Sequence, residues 1–296
     1  MRYTHSICSC ARMEEHSIRE WIDYHRSIGF EHFFIYGNDD DYRILAEALS
    51  PYISNRIVTF NHCPEVGAQV KMYTHFLRWY GRSTEWICLL DQDEYVRLAG
   101  YGNSVAELTR QAGSDFDSIQ LNWLNFGTSG HIERPAGSVL RQYTHRASGP
   151  DINTKHITRM SAYFALPNLP IPFWHALPAP PVRSCSALLE PNSFWDWIAG
   201  TSGKDAYLRY VADAGQRLIA SACVAHFHLK SEHDFERRIR RGLGGDFSNQ
   251  EMYRAIAAEP SRKRSFIEQS NIVADRYLAD YWERHVESLL HGNPPW

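Results

Sequence analysis

The stretch ICLLDQDEYV, residues 87–96, places four apolar residues directly before Asp91, Gln92, Asp93 and Glu94. An apolar run that ends in polar residues predicts a buried strand, here with three carboxylates in four positions at its carboxyl end. Carboxylates this close repel one another unless a cation or a proton neutralises them. Two aspartates one residue apart can hold Mg²⁺ or Mn²⁺, which prefer oxygen ligands and bridge diphosphates. The alternative is a solvated acidic turn.

Composition narrows the class of protein. The chain has 296 residues, 44% of them hydrophobic, which is enough for one large core or two modest ones. A formal net charge of -3 lacks the basic excess of nucleic-acid binders. The six cysteines include no Cys-x-x-Cys pair, so we expect reduced thiols in a cytoplasmic protein, with zinc ligation as the alternative. No signal core and no apolar run of about 20 residues is present, so any membrane contact is expected to be peripheral, at the inner face.

Strand-like and helix-like stretches alternate before residue 124, which predicts an α/β fold with a mostly parallel sheet. The predicted strands are 3–8, 32–36, 56–60, 85–91 and 116–123, and the predicted helices are 14–29, 42–53 (ending near Pro51), 67–81 and 105–112. Later, the proline-rich 167–181 predicts a loop, 216–229 a strand, and 193–200, 204–215, 231–242 and 264–290 helices.

The predicted sheet brings two acidic clusters together. Ligands of such sheets bind at the carboxyl ends of the strands. NDDD (38–41) follows the second predicted strand and DQDE (91–94) follows the fourth, so we expect both on the same edge. Two acidic clusters on one edge favour a site for a cation together with a polyanion.

Several blocks of the chain, in order, resemble the GT-A glycosyltransferases of the family 2-like and family 92-like group. They are ARMEEHSIREWIDYHRSIGFEHFFIYGNDDD (11–41), Gln69 with Tyr73, EWICLLDQDEYV (85–96), LNWLNFGTSGH (121–131), TKHITR (154–159) and AHFHLKSEHDFERRIRRG (225–242). The resemblance spans about residues 5–245. It departs from the family pattern at Met13, Gly37 and Ala225, where the family carries Asn, Asp and Asn.

The resemblance implies a GT-A fold: a Rossmann-like, mostly parallel sheet flanked by helices. It implies a glycosyltransferase domain over 1–245 and a C-terminal helical extension over 246–296. The implied reaction moves a sugar from a UDP- or GDP-sugar to a glycan or lipid-linked acceptor in polysaccharide biosynthesis, with inversion, and uses Mn²⁺ or Mg²⁺.

The resemblance also implies roles for individual residues. The implied metal ligands are Asp91, Asp93 and His226, with His228 as the competitor of His226. The implied donor-binding residues are Glu14, Asn38, Asp39, Gln69, Asp91, Glu94, Lys230, Arg238 and Arg241; helix capping or a solvated helix face is the alternative for most of them. An acceptor site is expected from Trp123, Asn125 and Phe126.

Position alone leaves the catalytic base open. Inversion needs a carboxylate that takes the proton of the acceptor hydroxyl. Asp246, in the glycine-rich GLGGDFSN (242–249), and Glu133 are the predicted catalytic residues, and Asp151 is a further candidate. We expect Gly127 and Gly130 to turn the backbone with positive φ.

Two other functions compete with glycosyl transfer. A phosphotransferase of the haloacid dehalogenase type also places Asp-x-Asp after an apolar strand, but in the first strand and with Thr or Val where this chain has Tyr95. A non-catalytic glycan- or nucleotide-binding relative would explain Met13 and Gly37, and metal-dependent donor hydrolysis would distinguish it from an enzyme.

Overall fold

The computed structural model describes residues 3–65, 67–166, 175–178, 181–191, 194–198, 203–241 and 249–287. Asp246 and most of the proline-rich stretch 167–181 therefore lie outside the described residues.

Strands and helices alternate in the first 125 residues, as the periodicity predicts. The strands are β1 (Tyr3–Ala11), β2 (His32–Gly37), β3 (Val58–His62), β4 (Thr84–Leu89), β5 (Glu94–Arg97) and β6 (Ser118–Asn125), and the helices are α1 (Ile18–Ser27), α2 (Arg43–Ser54), α3 (Gln69–Trp79) and α4 (Val105–Ala112).

Helices dominate the second half of the described chain. The strands are β7 (His145–Arg146), β8 (Thr154–Arg159), β9 (Ser184–Ser186), β10 (Cys223–His226) and β11 (Val273–Ala274). The helices are α5 (Val139–Gln142), α6 (Met160–Ala165), α7 (Phe194–Ile198), α8 (Lys204–Ser221), α9 (Glu232–Arg241), α10 (Asn249–Ala258), α11 (Pro260–Gln269) and α12 (Tyr277–Trp282), which one π-helical turn, Glu283–Glu287, continues.

Nine of the described strands form one sheet in the order β3-β2-β1-β4-β8-β6-β10-β5, with β9 beside β6. The pairs β1–β2, β1–β4, β2–β3, β6–β10 and β6–β9 are parallel, whereas β8 runs antiparallel between β4 and β6, and β5 antiparallel to β10. The predicted α/β architecture, a mostly parallel sheet flanked by helices and followed by helices at the C-terminus, is confirmed.

The central strands are largely buried because helices cover both faces of the sheet. Side chains alternate between the faces along a strand. Ile7 and Phe33 belong to the core cluster that includes Trp21 of α1, whereas Cys8 and Phe34 belong to a second cluster with residues of α3 and α6. Each fully buried Ile or Phe contributes roughly 1.5–3 kcal/mol.

One predicted helix agrees with the structure to within one residue, and one predicted strand is wrong. Helix α2, predicted over 42–53, ends at Ser54, three residues beyond Pro51; the hydroxyl of Ser50 donates to the carbonyl of Glu47, which Pro51 has no N–H to satisfy. The stretch 216–229, predicted as a strand, is helical to Ser221 and extended only at Cys223–His226. The buried Leu218 and Ile219 continue the inner face of α8.

The predicted helix over 264–290 is interrupted. Strand β11 pairs with β7 between α11 and α12, and the buried Leu278 and Trp282 of α12 join the main core cluster. The boundary at 245/246 between two domains stays a prediction. No helix of the described residues is both long and apolar enough to span a bilayer.

Candidate active site

Parallel strands bring the predicted acidic residues to one edge of the sheet. Strands β1, β2 and β4 are parallel, so their carboxyl ends meet there. Chain reversal after β4 is tight, since the N–H of Glu94 donates to the carbonyl of Asp91 at 3.2 Å. Asp91, Asp93 and Glu94 thus lie between the ends of β4 and β5, and we call these three residues the acidic edge.

A buried lysine from β8 lies against the acidic edge. Nζ of Lys155 is 2.7 Å from Oδ2 of Asp91 and 3.3 Å from Oε2 of Glu94. Neither Lys155 nor Glu94 has an exposed side chain, whereas that of Asp91 is 34% exposed. Oε2 of Glu94 also accepts from the N–H of Asp91, and Gln69 donates to Oδ1 of Asp91 at 3.0 Å. Asp91 is therefore fixed from two sides by α3 and β8.

Asp93 has different partners, which come from the end of the described sequence. Its Oδ2 accepts from Nη1 of Arg238 at 2.9 Å and lies 3.7 Å from Nε2 of His226. Nδ1 of His226 is 3.2 Å from Oδ1 of Asn125, so that nitrogen carries the donated proton and Nε2 faces Asp93. His228, the competitor of His226, is buried beside Phe266.

Burial and charge act against each other at the acidic edge. Burial alone would raise the pKa of Asp93, but Arg238 and then His226 outweigh it, so the pKa lies well below its usual range. Burial raises the pKa of Glu94 to about 7, although Lys155 opposes the rise. Burial would lower the pKa of Lys155, yet Asp91 and Glu94 hold it above its usual value. Asp93 and Lys155 therefore stay charged at neutral pH.

A polar cavity beside Asp93 gathers several of the predicted donor-binding residues. Glu14, Lys230 and Arg238 line it together with Asp93, and Nζ of Lys230 contacts Oε2 of Glu14 at 3.1 Å. Lys230 has φ of 52°, a left-handed conformation that is costly for a side chain other than glycine. Arg134, Arg237 and Asp234 line the same cavity and were not among the predicted site residues.

Asn38 and Asp39 support the loops around β2. Nδ2 of Asn38 donates to the carbonyls of Cys63 and Glu65, and Oδ1 of Asp39 accepts from the N–H of Met13. Gly37, where the family carries Asp, packs against β3: a Cβ there would lie 2.9 Å from the ring of Phe60. Close packing therefore explains this departure from the family pattern.

The three predicted acceptor residues lie in different surroundings. Trp123 is half-buried, with its ring centroid 4.4 Å from that of His226. Asn125 bridges His226 and Asp151, because its Nδ2 donates to Oδ2 of Asp151 at 3.0 Å. Phe126 is 1% exposed and packs on Phe227 in the core.

One of the two glycine predictions is wrong. Gly130 has φ of 84°, as expected, but Gly127 is not among the residues with positive φ. A Cβ at Gly127 would instead lie 2.4 Å from the carbonyl oxygen of Ser270. Gly127 therefore permits the close approach of the segment that joins α11 to β11.

Glu133, one of the two predicted catalytic carboxylates, lies in a different cleft from Asp93. The side chain of Glu133 is 74% exposed, with Oε2 2.6 Å from Nδ1 of His233. It lines an open cleft with Arg134 and Arg237, which also line the cavity beside Asp93. Asp246 lies outside the described residues, as does the side chain of Arg241, although its backbone ends α9.

Part of the predicted metal-ligand set fits a divalent cation. Two ligands of one Mn²⁺ lie about 3 Å apart, close to the 3.7 Å between Asp93 Oδ2 and His226 Nε2. Asp91 is bonded to Lys155, but each of its oxygens keeps a second lone pair. Among the residues described, no three His, Cys, Asp or Glu side chains are close enough together to surround one ion. Asp93 and His226 are therefore the pair that the geometry favours.

Lys155 is the main residue that the sequence analysis did not assign. The sequence feature that could have identified Lys155 is the TKHITR block (154–159), which resembles the family pattern and contains one lysine among Thr, His and Ile. The polar composition of that block does not indicate that Lys155 is buried. Lys155 is buried because β8 lies between β4 and β6 in the sheet and pairs with both.

Comparison with known proteins agrees with the resemblance. The family model described as glycosyltransferase family 92 matches residues 3–169, more than half of the chain. A glycosyltransferase family 92 protein of Oryza sativa subsp. japonica is 30% identical over 166 residues, which cover 54% of this chain and 28% of the rice protein. A glycosyltransferase family 92 protein of Ricinus communis is 30% identical over 149 residues, which cover 49% of this chain and 27% of the Ricinus protein. The chain thus spans about a quarter of the length of these relatives.

Solved structures give a weaker likeness. The mannosyltransferase PcManGT from Pyrobaculum calidifontis, in complex with GDP-Man and Mn²⁺, has a TM-score of 0.40 and 11% identity over 97% of this chain and 88% of its own. TarS 1–349 of S. aureus has a TM-score of 0.38 and 11% identity over 55% and 48%. On the match to its family model over residues 3–169, the chain belongs to glycosyltransferase family 92.

Proposed function

We propose that this protein transfers a sugar from a nucleotide-sugar donor to a glycan or lipid-linked acceptor, with inversion and with a bound divalent cation. One observation carries the proposal: Asp93 and His226 face each other at the carboxyl edge of the sheet, beside the cavity that Lys230 and Arg238 line. A carboxylate and an imidazole suit Mn²⁺, and the cationic side chains suit the phosphates of a UDP- or GDP-sugar.

In this proposal Asp93 and His226 hold the cation, and Asp91, two residues before Asp93 on the acidic edge, is the further carboxylate ligand that we assign to it. The cation would neutralise the diphosphate as the glycosidic bond breaks. Asn125 keeps the Nε2 lone pair of His226 directed at Asp93, because Oδ1 of Asn125 is hydrogen-bonded to Nδ1. Lys230 and Arg238 are almost buried, so their attraction for phosphate is screened less than that of surface cations.

Asp151 is the carboxylate that we propose as the catalytic base. It is joined through Asn125 to His226 and lies beside Trp123, whose carbonyl accepts from the N–H of Asp151. Asn153 donates to its Oδ1, so hydrogen bonds orient the carboxylate. The predicted base Glu133 is instead paired with His233 in the neighbouring open cleft.

The donor is tested with a thermal-shift panel of UDP, GDP, CDP and their sugars, each with Mn²⁺, Mg²⁺ or EDTA. A ligand that binds only the native state adds about 2.7 kcal/mol to the free energy of unfolding at 100 times its Kd, and so raises the melting temperature. We expect one nucleotide class to shift the transition and EDTA to abolish the shift. No shift with any nucleotide would contradict the proposal, and a shift without hydrolysis or transfer would indicate a non-catalytic binder.

The base is tested by Asp151→Asn against Glu133→Gln. If Asp151 takes the acceptor proton, kcat falls about 100- to 10,000-fold in Asp151→Asn, while the affinity for the donor is kept. Glu133→Gln, a substitution of an exposed carboxylate, keeps most of the rate. Steady-state kinetics with the donor found in the panel measure both, and the reverse ranking of the two variants would assign the base to Glu133.

A further inference from the structure

A fully buried ammonium group at a site proposed to bind a metal needs a physical reason. Lys155 contacts both Asp91 and Glu94, and its Nζ lies 6.0 Å from the ring centroid of Trp123. Burying an ion costs several kcal/mol, and apolar residues of similar volume often stabilise a fold as well as a buried ion pair does. Stability alone therefore does not require a lysine at this position.

The charges around the acidic edge nearly cancel. Asp91, Asp93 and Glu94 contribute three carboxylates, and Lys155 and Arg238 contribute two cations within 3.3 Å of them. A divalent cation that approaches from solvent meets Asp91, the most exposed of the three carboxylates, with Oδ2 already paired. Such an edge attracts a free cation weakly, and the cationic side chains Lys230 and Arg238 of the neighbouring cavity add attraction only for a cation that arrives with a diphosphate.

We propose that Lys155 is a built-in counter-ion that keeps the acidic edge from binding a divalent cation on its own and so couples cation binding to donor binding. This inference rests on the proposed function. It assigns Lys155 a positioning role: the ammonium group holds Asp91 and Glu94 in place and competes with the cation for Asp91. Donor and cation then bind together, and the enzyme without donor keeps little metal.

The test is the affinity of the whole chain for Mn²⁺ in the absence of nucleotide, measured by electron paramagnetic resonance of free Mn²⁺. Lys155→Met removes the ammonium and frees Asp91, so Mn²⁺ should bind at least about tenfold more tightly than to the unsubstituted chain. If Lys155 only supported the fold, its substitution would weaken Mn²⁺ binding. The opposite sign of the expected change distinguishes the two roles.

Inorganic diphosphate serves as the second probe, with the Mn²⁺ retained by the protein on ultrafiltration as the readout, because diphosphate itself chelates Mn²⁺. We expect it to tighten Mn²⁺ binding by the unsubstituted chain at least about tenfold, and to do so less for Lys155→Met, in which Asp91 already binds the cation. Because Lys155→Met leaves two carboxylates without their cation, Lys155→Met/Glu94→Gln is measured as well. This double variant removes one charge of each sign and still frees Asp91. Its affinity for Mn²⁺ should therefore also be higher than that of the unsubstituted chain.

Arg159→Met is the matched control. Arg159 ends the same strand and pairs with Glu85 at 3.3 Å. Its substitution removes the same charge as Lys155→Met, away from the acidic edge, so the Mn²⁺ affinity of this variant should equal that of the unsubstituted chain. A folded Lys155 variant that binds Mn²⁺ no more tightly than the unsubstituted chain overturns the inference. If the unsubstituted chain then still binds a nucleotide with Mn²⁺, only the role of Lys155 fails; if it binds none, the proposed function fails too.

Discussion

Two carboxylates that are mostly shielded from solvent, in different regions of this protein, have opposite protonation behaviour. On α1, Glu20 accepts hydrogen bonds from the N–H groups of Val139 and Leu140, and burial raises its pKa to about 7. At the acidic edge, Arg238 and His226 outweigh the effect of burial, and the pKa of Asp93 lies well below its usual range. Burial acts on both carboxylates, and for Asp93 the guanidinium of Arg238, which donates to it at 2.9 Å, is the main influence that reverses the sign.

The comparison separates a structural carboxylate from one available for chemistry. Glu20 accepts from backbone N–H groups at the start of α5, and no cationic side chain of the described residues forms an ion pair with it. Asp93 is ionised at neutral pH and directed at His226 beside a cavity. The distinction does not follow from burial or from residue type, and substitutions that remove one partner at a time test it.

The largest effect is expected from Asp93→Asn. The amide is a poor ligand for a divalent cation and leaves Arg238 without its carboxylate, so we expect glycosyl transfer to fall at least about 1,000-fold, roughly 4 kcal/mol in the activation barrier. Mn²⁺-dependent nucleotide affinity should be lost while the circular dichroism spectrum is kept.

Asp117→Asn is the matched control for Asp93→Asn. Asp117 is also bonded to an arginine, Arg183, at 2.8 Å, but on the surface. Its substitution should leave nucleotide affinity unchanged. Unchanged Mn²⁺-dependent affinity in Asp93→Asn would contradict the assignment of Asp93 as a metal ligand.

A smaller effect, on stability, is expected from Lys230→Met. Lys230 is 7% and Glu14 8% exposed, so removal of the cation leaves a buried carboxylate and should cost about 3 kcal/mol of the free energy of unfolding. Lys71→Met breaks the exposed pair with Glu65 and should cost less than about 1 kcal/mol. Urea denaturation measures both, and equal losses would show that burial does not distinguish the two pairs.

The sequence predicts the parallel half of the fold well because burial on both faces requires apolar runs. It does not predict β8, since Thr154, Lys155, His156 and Thr158 are polar and yet buried. Several of their polar groups have partners that are far away in the chain, such as the hydroxyl of Ser118, which lies 2.6 Å from that of Thr158. No local pattern carries that information.

The same limit applies to the site. The motif DQDE identifies Asp91 and Asp93 as chemically unusual, and the order of the strands predicts their edge of the sheet. Their partners follow from tertiary structure: Lys155 is 64 residues from Asp91, and Arg238 is 145 residues from Asp93. The resemblance supplied His226 and Arg238 as candidates, whereas the pairing of Lys155 with Asp91 and Glu94 required the position of β8.

The smallest effect is expected from Glu20→Gln, which tests the other side of the comparison. Burial raises the pKa of Glu20 from 4.5 to about 7 in the folded chain. A carboxyl group whose pKa is raised on folding contributes its stability below the unfolded pKa, and that contribution is lost as the pH rises through the folded pKa. The unfolding free energy of the unsubstituted chain should therefore fall, relative to that of Glu20→Gln, between about pH 4.5 and 7. We expect a fall of about 1–2 kcal/mol, less than the full pKa shift would give, because Glu20 is partly exposed to solvent.

Glu107→Gln gives the matched control for this pH dependence, because Arg110 lowers the pKa of Glu107 to about 2. A lowered pKa stabilises the fold above the unfolded pKa, and this stabilisation is lost only as the pH falls from about 4.5 through 2. The difference between the unsubstituted chain and Glu107→Gln should hence be flat from pH 5 to 7, where the Glu20→Gln difference changes. Urea denaturation at each pH measures both differences. If the two variants had the same pH profile, pairing with an arginine would not be what separates Glu20 from carboxylates such as Glu107 and Asp93.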